Sequence, residues 1–450
     1  MRKYIFALLA ILMSVVFVIL VTEYEFESLD SLMKPPMVEG ENREIQLAFE
    51  KFTGGNYKLI TPLKGKHRSA YTFVNLNNDD TDEVIVFYSD KEENDLVRMN
   101  VLGKNTLGEW MSLADIETNH SDVEQIEFAD INGDKIKELI VGWTVFQNEY
   151  AKSMNVYRIT FNEGLYAFES IYNSAYYDFR VLDVNCDGQK DILKIDYSKK
   201  LDKNEFKAVM LDYTGNEIKD ATSVNLDFSF SSVISVTSEY LSNENRRRIY
   251  IDGVKHESGL LTDCIYFDSR TGELKKEASG RPALSVRSSR ISNIVSDDIN
   301  NDGLVEIPFE EELLGSEVIY DDNMQNETQL IIKWKHINSN DTLCAEILNP
   351  VYSYSFRIEK DMINRFTVVN DLKNGKLTFY TLKYGSYGFT KGEKLFEIIA
   401  LPSAEFTDEP DYRYKLLAES HGYIYYCRIY ETGEENGYTR SFIKKNLILD

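Results

Sequence analysis

The chain has 450 residues, of which 43% are hydrophobic and 12% aromatic, and a formal net charge of −24. This excludes a disordered chain and leaves room for two or three domains, each with its own core. The negative field excludes a nucleic-acid partner, opposes tight contact with anionic lipid, and suits cations.

Arg2 and Lys3 precede an apolar run from Tyr4 to Val21, broken only by Ser14. The run passes into TEYEFE with no A-x-A-like cleavage site. It predicts an uncleaved membrane anchor over residues 1–22, with a cleaved secretory signal as the alternative. Basic residues on the short side keep that side cytoplasmic. The expected location is therefore the cell membrane, single-pass, with the bulk of the chain extracellular.

Residues 23–56 read as a stalk and a short helix. Pro35 and Pro36 stiffen the first part. Ile45, Ala48, Phe49 and Phe52 recur at helical spacing, and Gly54-Gly55 stops the run. From Tyr57 the period changes to short β-rich runs separated by Gly, Asn and Asp, among them EVIVFY, ELIVGW and DILKIDY. The cysteines at 186, 264, 344 and 427 form no C-x-x-C, so they indicate neither a thiol redox site nor a clustered zinc site. They could pair in three ways or stay free.

The β region repeats. An Asx-rich stretch begins at Asn75, Asp130, Asp183 and Asp298, so the gaps are 55, 53 and 115 residues. The doubled last gap predicts a silent copy near residue 240, with strands but no acidic loop. A period near fifty residues accommodates four strands and their turns. The fold expected is mainly β: a β-propeller of about five blades (five to seven) over residues 57–348. A small C-terminal α+β or β domain would occupy residues 349–450.

The repeated unit is D-x-N-x-D-G-x-x-[DE] followed by an apolar residue. Carboxylates this close repel one another unless something neutralises them. Oxygen side chains at positions one, three and five of a tight turn converge on one point. Position seven can add its carbonyl, and position nine returns a carboxylate, which describes a hard-cation site better suited to Ca²⁺ than to Mg²⁺. An EF-hand is excluded, because position twelve is Val86, Val141, Lys194 or Phe309 where that motif needs Glu. The loop connects strands.

These four stretches resemble the calcium-binding FG-GAP or VCBS-like repeats of integrin-alpha-type propellers, over about residues 68 to 345. The resemblance implies Ca²⁺ bound in four loops. The side-chain ligands would be Asn75, Asn77, Asp79 and Glu83; Asp130, Asn132, Asp134 and Glu138; Asp183, Asn185, Asp187 and Asp191; and Asp298, Asn300, Asp302 and Glu306. The backbone oxygens would come from Thr81, Ile136, Gln189 and Leu304. The first copy carries one carboxylate fewer because it opens with Asn75. At position six, Asp80 and Lys135 stand where Gly188 and Gly303 suit a left-handed turn. The F-G and G-A-P signature words of integrin blades are largely missing.

No G-x-S-x-G, G-x-G-x-x-G, G-K-[ST] or H-E-x-x-H motif occurs, and the five histidines read as isolated surface or turn residues. The chain is expected not to be an enzyme. Trp143 reads as core, and Arg246, Arg247 and Arg248 as a solvated turn. The function expected is a membrane-anchored extracellular binding or scaffold protein, stiffened by calcium, with a protein or glycan ligand. The alternative is a carbohydrate-active enzyme or its accessory glycan-binding module.

Overall fold

The computed structural model describes residues 41–449, apart from 91–95, 146–147, 163, 201–202, 215–216, 257, 278–282, 321–326, 387 and 404–409. The described residues divide into two compact units. One takes those of Met1–Ile126, Trp143–Phe146 and Ile159–Glu169; the other takes those of Glu127–Gly142, Gln147–Arg158 and Ser170–Asp450.

Helix α1 (Glu41–Thr53) opens the first unit, with Glu41 and Glu44 in its first turn and Lys51 in its last, both favourable for the helix dipole. Gly54 and Gly55 both take positive φ and end it. Its buried face, Ile45 and Phe49, packs on Val84, Val86, Tyr88 and Leu102. Those residues belong to a sheet of β1 (Tyr57–Ile60), β2 (Tyr71–Val74), β3 (Glu83–Asp90), β4 (Val97–Lys104) and β5 (Trp110–Glu117). Strands β1 and β2 share one edge of β3, opposite Phe87–Asp90 and Glu83–Val86 respectively.

Three antiparallel sheets follow in chain order: β6–β9 (Asp122–Ala129, Glu138–Val145, Asn148–Asn162, Leu165–Ala175), β10–β13 (Asp178–Leu182, Asp191–Lys200, Lys203–Thr214, Glu217–Asn225) and β14–β17 (Phe230–Leu241, Arg246–Lys255, Leu260–Asp268, Glu273–Lys276). Side chains alternate across a strand. Val209 and Leu211 of β12 therefore join one core with Ile140, Val156 and Phe179, while Ala208 and Met210 join another with Phe230, Ile249 and Ile251. Burial on both faces is why these strands read as unbroken apolar runs rather than as polar–apolar alternation.

Helix α2 (Leu284–Arg287) leads to two more sheets. One contains β18 (Ile307–Glu312), β20 (Leu330–Lys335), β21 (Cys344–Asn349), β22 (Tyr354–Glu359) and the C-terminal β28 (Leu447–Leu449). The other contains β19 (Glu317–Ile319), β23 (Phe366–Asp371), β24 (Lys376–Gly385), β25 (Gly388–Pro402), β27 (Tyr423–Ile429) and β26 (Lys415–Ser420). Helices α3 (Glu431–Glu435) and α4 (Arg440–Asn446) precede β28. The expected boundary at residue 349 falls between β21 and β22, which pair with each other. One apolar cluster also joins Ala345 and Ile347 to Phe356, Phe379, Phe396 and Tyr425.

Mainly-β character holds, but the propeller does not. The sheets are flat and none closes on itself, so the expected ring of five to seven blades is overturned. A fifty-residue repeat dictates a local antiparallel meander, because each strand finds its partner across a short turn. Closure depends on sheet curvature, which the repeat does not encode.

The expectation of a membrane-anchored scaffold is also withdrawn, because among the described residues no helix is long and apolar enough to cross a membrane. The apolar run from Tyr4 to Val21, on which it rested, lies outside the described residues. No arrangement among the described residues favours the carbohydrate-active alternative.

The three arginines are not a solvated turn. They begin β15, where Arg248 pairs with buried Glu239 at 3.1 Å and with Glu277 at 3.1 Å. Trp143 is fully buried, and all four cysteines are free.

Candidate metal centre

The four Asx-rich stretches fold alike. The first three connect β2 to β3, β6 to β7 and β10 to β11, and the fourth runs from the isolated bridge Asp297–Glu306 into β18. In each, the ninth residue is a buried carboxylate that closes the loop by accepting the backbone N–H of the second residue. The bonds are Leu76 to Glu83 (2.9 Å), Ile131 to Glu138 (2.9 Å), Val184 to Asp191 (2.8 Å) and Ile299 to Glu306 (3.1 Å).

The third and fifth residues are tied to the turn in the same way. The side-chain oxygens of Asn77, Asn132, Asn185 and Asn300 accept the N–H of the aspartate two residues on, at 2.8–2.9 Å. Asp79, Asp134, Asp187 and Asp302 accept the N–H of Thr81, Ile136, Gln189 and Leu304 at 2.7–2.8 Å. The first residue, Asp130, Asp183 or Asp298, accepts the N–H of the sixth at 2.8–3.1 Å. Asn75 instead donates its amide to the Asp79 carbonyl.

Each loop thus ties its predicted side-chain ligands to one turn through backbone hydrogen bonds, but among the described residues three or more acidic or histidine ligand atoms converge within 4.8 Å only at Asp302, Glu306 and His336. The left-handed position common to all four is the fourth residue: Asn78, Gly133, Cys186 and Asn301 have φ of 60°, 80°, 61° and 59°. The sixth residue is left-handed in three loops, and Lys135 adopts it at 74° without being glycine.

The electrostatics are those of closely spaced, partly buried carboxylates. Burial pushes the carboxyls of Glu83, Glu138 and Glu306 upward, and that of Asp191 up to about 7. The exposed Asp79 and Asp302 are held below the usual range, the first by the Thr81 N–H and the second by the Asn300 amide.

Two loop acceptors make no hydrogen bond. The buried Asn75 Oδ1 has no hydrogen-bond partner, and neither does Glu306 Oε1. A buried acceptor in this condition is costly unless a donor or a cation meets it.

The fourth loop has a participant that sequence reasoning missed. His336 follows β20, whose Lys335 pairs with Ile307 of β18. The antiparallel register therefore sets His336 beside Glu306, and His336 Nδ1 lies 3.3 Å from Glu306 Oε1. Ligand atoms of Asp302, Glu306 and His336 all lie within 4.8 Å of one another, and this cluster could coordinate a divalent metal. The histidine stands thirty residues beyond the loop, and only the strand register could have pointed to it.

No protein-family model matches this chain, and no curated protein matches it. Together with the open sheets, this overturns the resemblance to FG-GAP or VCBS-like propeller repeats. The loops must be judged on their own geometry.

Proposed function

We propose that this chain is a non-catalytic, divalent-cation-binding β-sheet protein whose acidic loops take up Ca²⁺ as structural ions. The observation that carries this reading is the shared loop geometry, in which three oxygen side chains and one buried carboxylate surround each turn. Orphaned acceptors, Asn75 Oδ1 and Glu306 Oε1, stand where a cation would satisfy them. A mixture of neutral and charged oxygens in a flexible turn favours Ca²⁺ over Mg²⁺, which demands tighter octahedral geometry. The net charge of −24 draws cations and opposes nucleic acid.

Calorimetry of the full chain with Ca²⁺, with Mg²⁺ and with chelator tests this. A cation that binds only the folded state stabilises it by about 2.7 kcal/mol at a hundredfold excess over its dissociation constant. The melting temperature should rise with Ca²⁺, rise less with Mg²⁺, and fall with chelator. Identical curves in all three conditions would reject the calcium reading.

A further inference from the structure

The fourth loop differs from the other three in its donor set. In the first two loops the asparagine amide at position three reaches the carboxylates at positions five and nine: Asn77 lies 2.9 Å from Asp79 and 3.4 Å from Glu83, and Asn132 lies 3.0 Å from Asp134 and 2.6 Å from Glu138. In the third and fourth, the amide reaches only the aspartate, Asn185 to Asp187 and Asn300 to Asp302, both at 2.9 Å, and in the fourth Glu306 Oε1 accepts no hydrogen bond. Glu306 is fully buried, away from bulk solvent. The group facing that oxygen is an imidazole nitrogen, His336 Nδ1, which itself makes no hydrogen bond.

We infer that the fourth loop is a mixed imidazole–carboxylate centre for a borderline transition ion of the Zn²⁺ class, with Asp302, Glu306 and His336 as ligands, while the first three loops, built from oxygen alone, take Ca²⁺. The inference rests on the reading of these loops as cation sites. Imidazole suits Zn²⁺ and its neighbours, whereas Ca²⁺ takes oxygen ligands. The spacing agrees. A tetrahedral ion bound at about 2.0–2.1 Å sets neighbouring donors about 3.3 Å apart, and Glu306 Oε1 and His336 Nδ1 stand 3.3 Å apart. Asp302 is exposed, and its ligand atom lies within 4.8 Å of those of Glu306 and His336. The loop's remaining oxygens or water supply the fourth position.

The rest of the loop is braced for this arrangement. The N–H of Val305 donates to Glu239 Oε2 at 2.8 Å, and the other oxygen of Glu239 accepts from Arg248 at 3.1 Å and Tyr250 at 2.7 Å. The backbone next to Glu306 is thereby held by a buried network that uses none of the three ligands.

The test is a Zn²⁺ titration of the full chain in saturating Ca²⁺, followed by calorimetry, on the natural protein, His336→Gln and Glu306→Gln. One equivalent of Zn²⁺ should bind the natural protein, and its affinity should fall at least tenfold in each variant. The Ca²⁺-dependent rise in melting temperature should survive in His336→Gln. In parallel, diethyl pyrocarbonate labelling of the natural protein should show His336 protected by Zn²⁺ and unprotected by Ca²⁺, a readout that needs no variant to fold. Zn²⁺ affinity indifferent to His336→Gln, or His336 labelled equally with and without Zn²⁺, would overturn the inference while a Ca²⁺ shift in melting leaves the calcium reading standing. His336-dependent Zn²⁺ binding with no Ca²⁺ effect on melting would do the reverse.

Discussion

Gln189, the seventh residue of the third loop, donates its side-chain amide to the carbonyl of Ile131, the second residue of the second loop, at 2.5 Å. The N–H of Ile131 is already held by Glu138. The closing carboxylate of one loop and the turn of the next are therefore joined through a single residue. Removing the bond by Gln189→Ala should cost about 1 kcal/mol. The sharper expectation is coupling between the loops. In a double-mutant cycle, Gln189→Ala and Asp134→Ala should interact by more than about 0.5 kcal/mol in Ca²⁺-saturated denaturant melts. Additive effects would show that the loops are independent.

A second pair of residues anchors the sheet of β14–β17. Arg290 and Asp252 are both fully buried and meet at 2.7 Å. Thr262 and Ser296 also bond to Asp252, and the Ile294 carbonyl accepts from Arg290. Arg290→Met leaves the Asp252 carboxylate buried and uncompensated, which should cost about 3–5 kcal/mol in urea unfolding. The double replacement with Asp252→Leu should recover part of that loss. A single variant within 1 kcal/mol of the natural protein, on the order of a surface substitution, would refute this account.

Cys186 sits at the left-handed fourth position of the third loop and is only partly buried. The other three thiols are buried, and burial pushes Cys344 and Cys427 up to about 11. Ellman's reagent at pH 8 should therefore titrate one thiol quickly in the folded chain and all four in denaturant. The fast phase should vanish in Cys186→Ser and slow when Ca²⁺ rigidifies the loop. More than one fast thiol, or a rate indifferent to Ca²⁺, would count against the loop assignment.

The buried Asp191 carboxyl gives a pH dependence of definite sign. It titrates at about 7 in the folded chain, against about 3.9 for an unfolded aspartate. Between those values the folded chain holds a proton that the unfolded chain has released. The stability of the metal-free protein should therefore fall as pH rises through this window and level off above about 7. Burial pushes Glu83, Glu138 and Glu306 in the same direction. Ca²⁺ needs the ionised form, so its stabilising effect should be larger at pH 8 than at pH 5.5. Urea melts in chelator from pH 5 to 8 would measure the slope, which Asp191→Asn should flatten. An unchanged slope in that variant would exclude Asp191 as its source.

Much of this was legible from sequence where the determining contacts are close along the chain. Helix α1 ends at Gly54-Gly55 because a periodic apolar face meets two residues free to adopt positive φ. The loops were legible because their four recurring oxygen side chains lie within nine consecutive residues, and a tight turn ties such neighbours to one backbone segment whatever surrounds it. The three arginines misled for the opposite reason. Their partners Glu239 and Glu277 arrive from other strands, so local composition read as a solvated turn what is a paired, half-buried strand end.

The amino-acid sequence by itself determined the strands, their antiparallel succession and the positions of the four acidic turns, because each depends on hydrogen bonds and rotamers within a few residues. Tertiary structure alone decided that the sheets stay flat and open, since curvature and closure are properties of many strands acting together. It alone also placed His336 against Glu306. That meeting depends on the register of β18 against β20, and a shift of one residue would turn the histidine to the other face of the sheet.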